Sequence, residues 1–398
     1  MRIDPFQMER TQSLYENAVE FNLSESGVLP MTIRELLDGS GDPAWLHELS
    51  LKYPPSNGSP QLRERIAGFY EGATPDHVLV TNGGSEANYT SFWGLLERGD
   101  RAAVMIPNYL QTRGLARAYG SAADPFRLVE RREGGRARWA LDASSLRRAV
   151  TGKTRVILVT NPNNPTAGVL TEDEMDEIVR AADRVGAWIV ADEIYRGAEV
   201  EGPIAPTFWG RYEKVLITSG LSKAFGLPGL RIGWVAGPPR TVARLWSYRD
   251  YTTLTPTLVS DRLAQIVMEP GRREAIFART RSIIRRNLPR LESWIRSHGD
   301  LLDAIRPVAG AICLVRYDLP IGSAALFEKL RLERSVLITP GAHFGIGRYI
   351  RIGYGYDIDY TLRGLQRVDP TLRELGARRA GSRPRRPMAQ RSRPAAAR

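Results

Sequence analysis

Between residues 77 and 218, short unbroken apolar runs alternate with stretches of helical periodicity. This alternation constrains the fold more than any other feature of the chain. The runs are HVLVT (77–81), AAVMI (102–106), TRVILVT (154–160), AWIVAD (187–192) and KVLIT (214–218). A strand that is apolar on both sides is covered on both faces. With helical segments between them, such strands predict an α/β layer structure around a mostly parallel sheet. Ligands of these sheets sit beyond the C-terminal strand ends. The polar segments that follow the runs should therefore gather along one edge. After residue 238 the texture changes. Helical patterns fill about 238–268 and 271–298, and then ICLVRYDL, VLITPG and YIRIGYG read as strands of a smaller α+β domain.

The segments at the proposed edge carry complementary chemistry. TNGGSEAN (81–88) sets Gly84 and Ser85 between strand and helix, where free backbone N–H groups favour an anion. Alone, Gly-Gly-Ser reads equally well as a tight turn. IPNYLQT (106–112) offers Tyr109 as a ring for a planar ligand or as a packed surface residue. NPNNPTAG (161–168) presents Asn164 in a proline-fixed loop, as a donor and acceptor or as a turn. ADEIY (191–195) ends an apolar strand on Asp192, with Tyr195 following. A carboxylate so placed calls for a cationic partner.

SGLSKAFGLPGLRIGW (219–234) adds Ser222, Lys223 and Arg231. The chain has only five lysines among its 56 basic residues, so a lysine retained here is notable. Arginine suits a phosphate. A desolvated lysine can lose its proton and form an imine. A phosphate nest, a stacking ring, a carboxylate and one lysine together are what pyridoxal 5′-phosphate (PLP) requires.

In order and spacing, YPPSNGSPQLR, TNGGSEAN, NPNNPTAG, ADEIY, SKAFGLPGLRIGW, PGAHFG and YIRIGYG resemble the class I/II PLP-dependent aminotransferases of fold type I. The resemblance spans about residues 20–370. It implies a large domain around a mostly parallel seven-stranded sheet, plus a smaller α+β domain. It implies that Lys223 forms the imine and shuttles a proton, that Asp192 pairs with the ring nitrogen, and that Tyr195 and Asn164 bond the ring hydroxyl. By the same resemblance, Tyr109 would stack on the ring, while Gly84, Ser85, Ser222 and Arg231 would hold the phosphate. Tyr53 reaches the phosphate of a neighbouring subunit, which implies a homodimer with shared sites, and Arg351 clamps the substrate carboxylate. Two positions depart from the family pattern. Ala167 intervenes before Gly168, and Gly220 stands where serine or threonine is usual.

The fold does not fix the reaction. Conversion of an L-amino acid to its 2-oxo acid is the first expectation. FNLSESGVLPMTIRELL (21–37) and YRDYTTLTP (248–256) also resemble segments of capreomycidine synthases, which act on an arginine derivative. That makes a lyase, cyclase or oxidase of specialised metabolism the alternative. The N-terminal segment, with Gly27, then folds over the site, and Glu25 or Glu16 meets a cationic side chain. The plainer alternative is that both acids are solvated helix or loop residues. A PLP-sensing regulator needs a DNA-binding module, and the roughly 40 residues before the sheet domain show no helix-turn-helix pattern.

Other classes find little support. No run of about 18 apolar residues suggests a membrane span. The polar N-terminus lacks a signal core, so a cytoplasmic protein is expected. One cysteine, Cys313, excludes an internal disulfide framework, and four scattered histidines offer no metal site. The net charge of +12 owes eight arginines to residues 376–398, leaving +4 elsewhere. That segment carries no aromatic residue to stack on bases, which favours a disordered basic tail over a nucleic-acid arm. The expected organisation is an N-terminal segment (1–45) belonging to the small domain, a large PLP-binding domain (46–240), an interdomain helix with the small domain (241–375), and the tail.

Overall fold

The computed structural model describes residues 3–39 and 42–382. Its large sheet contains β1 (Val78–Thr81), β2 (Arg101–Ile106), β3 (Ala122–Glu133), β4 (Arg136–Leu141), β5 (Thr154–Thr160), β6 (Trp188–Asp192), β7 (Val215–Gly220) and β8 (Gly233–Ala236), in spatial order β1-β8-β7-β6-β5-β2-β3-β4. Strands β7, β6, β5, β2 and β3 run parallel, and β8 lies antiparallel between β1 and β7. The seven strands β1–β3 and β5–β8 are joined by an eighth. RARWAL folds back on β3 through a Gly134–Gly135 turn, extending the edge by a hairpin. Its alternating charges had hidden it among the polar segments.

Alternate residues of each central strand enter different cores. Ile157, Val159, Ile189, Ala191 and Ile217 face one side, and Val156, Leu158, Val190 and Leu216 the other. All are buried. This double burial is why the strands read as continuous apolar runs. The helices on these faces carry their own punctuation. In Glu172–Val185, Thr171 and Glu174 form a capping box, and Gly186 ends the helix at φ 67°.

The long pattern expected over 238–268 is two helices, Pro239–Arg249 and Leu258–Val267. The Thr-rich segment between them, with Leu254 at φ 61° and Pro256, cannot continue a helix. A 28-residue helix, Pro270–Ser297, leads to a four-stranded antiparallel sheet of Leu302–Ala304, Ile312–Tyr317, Tyr349–Gly353 and Thr339–Pro340. The N-terminal helix α1 (Gln7–Tyr15) is followed by Phe21–Asn22, which pairs in parallel with Val336–Leu337. Leu23 continues the contact, donating to Leu337 and accepting from Gly353. The last helix, Ile358–Ser382, runs past residue 376, where a disordered tail was expected. Gly376 fits against Leu301 there, and Arg378 pairs with Glu374 one turn back. Residues 383–398 of the expected tail lie outside the described residues. No helix among the described residues is long and apolar enough to cross a membrane.

Candidate active site

The C-terminal strand ends converge as the sequence predicts. Asn82–Ser85 follow β1 and open helix α2 (Gly84–Leu95), and Pro107–Tyr109 follow β2. Asn161–Asn164 follow β5, Asp192 ends β6, and Leu221–Lys223 follow β7. A cavity of about 520 Å³ is lined by Gly84, Ser85, Tyr109, Asn164, Asp192, Tyr195, Ser222, Lys223 and Arg231, with Glu25 on the N-terminal side.

One end of the cavity is built for an anion. Gly84 and Ser85 supply the first N–H groups of α2, which have no intrahelical partner. Gly83 precedes them at φ 89°, and a Cβ there would come within 2.5 Å of the Arg231 guanidinium. Only glycine lets the arginine close over the helix end. Arg231 is itself left-handed, at φ 51°, and its Nη2 donates to the Asn82 carbonyl at 3.4 Å. The departure at Gly220 has a steric reason. A Cβ there would meet the Ile232 carbonyl at 2.9 Å and Gly233 Cα at 3.0 Å. The other departure, Ala167, adopts φ 55°, a conformation that costs a non-glycine residue about 1–2 kcal/mol.

Deeper in the cavity, burial pushes the Lys223 amine below its ordinary range. The charge of Glu25 opposes that shift and Arg351 adds to it. Burial pushes the Asp192 carboxyl upward, against an Asn88 hydrogen bond at 3.0 Å and the Ile194 N–H at 3.2 Å. Asn88 is in turn fixed by the Thr218 hydroxyl at 2.7 Å. Tyr195 is buried, and its phenol is pushed up to about 12 by desolvation. The Tyr109 hydroxyl donates to Glu9 at 3.0 Å, and Phe6 meets the tyrosine ring edge-on at 4.8 Å.

Three expected residues do not line this chain's cavity, and for Tyr53 that agrees with its expected reach to a neighbouring subunit. Arg351 is wholly buried at the edge of the lining, donating to Asn164 Oδ1, the Ser24 carbonyl and Thr339 Oγ1, with its charge felt by Tyr195 and Glu25 of the lining. Gly27 lies beside Ser222, but its neighbour Ser26 lines the cavity. Tyr53 is 82% exposed and is not part of this chain's own cavity lining. Several lining residues were not singled out from sequence: Asn88, Gln111, Thr160 and, on α1, Glu9 and Gln12. Asn88 lay within a quoted segment. Its position three residues after Ser85 puts both on neighbouring helix positions, a signal that could have found it.

The profile described as "Aminotransferase class I and II" matches residues 21–368. The chain belongs to the class I and II aminotransferase family. Within that family it is 30% identical over 367 residues to capreomycidine synthase of Streptomyces vinaceus, covering 91% of each chain. It is 28% identical to the aspartate/prephenate aminotransferase of Thermus thermophilus, covering 81% of this chain and 83% of that one. Among solved structures it resembles a PLP-dependent aminotransferase from Streptococcus suis (TM-score 0.86, 29% identity, 94% and 99% covered). It also resembles the PLP-dependent cyclase OrfR (TM-score 0.84, 26% identity, 94% and 98% covered). The cofactor of this aminotransferase-family enzyme is PLP. Its residues suit that group: one amine shifted toward neutrality, one carboxylate held only by uncharged donors, and a glycine nest under an arginine.

Proposed function

We propose that the chain is a PLP-dependent aminotransferase that converts an L-amino acid to its 2-oxo acid. The observation that carries this reading is the placement of Lys223 and Asp192 on one cavity, where burial pushes the amine down and the carboxyl up. Gly84, Ser85, Ser222 and Arg231 would hold the cofactor phosphate. Tyr109 would cover the ring face, and Tyr195 with Asn164 would hold the ring hydroxyl. When bound, PLP supplies an electron-withdrawing ring that acidifies the substrate Cα–H. A neutral Lys223 Nζ, its amine lowered by burial, would carry the proton from the substrate Cα to the cofactor's C4′. Asp192 would hold a proton on the ring nitrogen, and Asn88 would keep its carboxylate aimed. Arg351, acting with Asn164, binds the substrate carboxylate.

A homodimer completes this reading. Tyr53 and Leu51 are 82% and 83% exposed, and Tyr251 is 82% exposed. Trp246 Nε1 bonds Ser56 Oγ at 2.8 Å, so these segments adjoin. An apolar surface there suits a second copy, with Tyr53 serving the partner's phosphate.

One observation favours the second reading, a lyase or cyclase acting on a cationic amino acid. Glu9, Glu16 and Glu25 all line the N-terminal side of the cavity, with Gln12 between them. Three carboxylates there suit a guanidinium or ammonium side chain. A single-turnover experiment separates the readings. PLP-loaded enzyme is mixed with a panel of amino acids, arginine included, without an acceptor. Conversion of the cofactor to pyridoxamine phosphate that stops after one turnover supports transamination. Continued turnover with PLP retained and a cyclised or eliminated product supports the second reading.

A further inference from the structure

We propose that Arg249 and Glu86 form a buried positioning pair that sets the phosphate end of the cofactor site. This rests on the PLP assignment above. Neither side chain lines the cavity. Glu86 is the third residue of α2, the helix whose first N–H groups face the anion site. Its Oε2 accepts from the Asn82 N–H at 2.5 Å, and its Oε1 accepts from the Thr252 and Thr253 hydroxyls, each at 2.6 Å. Asn82 is the residue whose carbonyl receives Arg231 and whose amide reaches the Thr255 carbonyl at 3.4 Å. One carboxylate thus fixes the turn that brings Arg231 and the glycine nest together.

The same carboxylate poses a problem. A negative charge beside this helix end repels a phosphate and offsets the dipole that attracts it. It is also mostly buried, at 8% side-chain exposure, where an unpaired charge is costly. Arg249 resolves both difficulties. Its side chain is fully buried, and its Nε lies 3.5 Å from Glu86 Oε2. Its other nitrogens donate to the Ser56 carbonyl and Thr253 Oγ1. Arg249 therefore neutralises Glu86, so that the carboxylate can cap Asn82 without repelling the cofactor. Through Ser56 it also ties the chain near Tyr53 to the same turn.

The test reads the phosphate separately from the rest of the cofactor. Dissociation constants are measured for PLP and for unphosphorylated pyridoxal on the full-length enzyme. In Arg249→Met the uncompensated carboxylate should weaken PLP by about tenfold and pyridoxal by less than about twofold. Arg249→Lys should recover part of the loss. The double variant Arg249→Met/Glu86→Gln, which carries no unpaired charge, should return PLP affinity to within about threefold of wild type. If Arg249→Met does not fold, Glu86→Gln carries the test. Its amide oxygen still caps Asn82, and the remaining Arg249 charge should tighten PLP by about threefold while leaving pyridoxal unchanged. Equal losses for PLP and pyridoxal, a double variant as weak as Arg249→Met, or a Glu86→Gln variant with unaltered PLP affinity would overturn the proposal.

Discussion

Arg351 Nη1 donates to Asn164 Oδ1 at 2.9 Å, joining the residue expected to clamp the substrate to one expected to hold the cofactor. The guanidinium is wholly buried and also committed to Ser24 and Thr339, so it is held in place before any substrate arrives. Arg351→Lys loses the planar fork that matches a carboxylate. It should raise KM by about a hundredfold while the absorbance of the lysine-bound cofactor is unchanged. Asn164→Ala should alter both the spectrum and KM. Steady-state kinetics with absorbance spectra of the two variants check this, and a spectral change in Arg351→Lys would contradict it.

Asn88 is the only side chain that hydrogen-bonds Asp192 among the described residues, at 3.0 Å. Asn88→Ala removes a donor that favours the carboxylate, leaving burial to push Asp192 further upward. The expected outcome is a fall in kcat of about tenfold with PLP still bound. Equal kcat in wild type and Asn88→Ala would mean that Asp192 is oriented by its surroundings alone.

The acidic wall makes a prediction about substrate choice. Under the cationic reading, Glu25→Gln and Glu9→Gln should each lower kcat/KM for arginine by about tenfold and leave alanine unaffected. Glu9→Gln keeps an acceptor for the Tyr109 hydroxyl, so the cofactor spectrum should persist. A uniform loss across both amino acids would remove the basis for a cationic substrate.

Glu193, beside Asp192, is buried, and desolvation pushes its carboxyl up to about 7. Its oxygens accept from Thr207 and from the Phe208 N–H. The unfolded chain gives up this proton near the ordinary value of 4.5, whereas the folded protein keeps it to about pH 7. Stability therefore falls as pH rises through that window and levels off above it. Glu193→Gln removes this cost. Relative to wild type it should gain about 3 kcal/mol between pH 4 and pH 8, an upper bound checked by urea unfolding at both pH values. A constant difference across that range would mean that Glu193 is ionised when buried.

The sheet was legible because both faces of β5, β6 and β7 are covered, so their central residues carry no polar interruption. The cofactor groups that line the cavity were legible because each sits within a few residues of a strand end, where a local motif and its location coincide. The contacts that escaped join distant parts of the chain. Glu9 meets Tyr109 across 100 residues, and α1 has no motif of its own to announce that contact. Arg249 reads as one arginine among many, and only tertiary packing shows it buried against Glu86 and Ser56. The break at 250–257 was obscured because the flanking helices share a compatible apolar periodicity. The burial of Arg351 beside Asn164 depends on how the small-domain strand Tyr349–Gly353 approaches the large domain, which no single segment encodes.

The central claim is that Lys223 carries the cofactor, and borohydride reduction tests it most directly. Reduction fixes a lysine-bound cofactor permanently, and peptide mass spectrometry then locates it. The account predicts one modified residue, Lys223, with no label in Lys223→Ala. Label on Lys52, Lys153, Lys214 or Lys329 in place of Lys223, or an unlabelled protein that still shows the bound-cofactor spectrum, would contradict it.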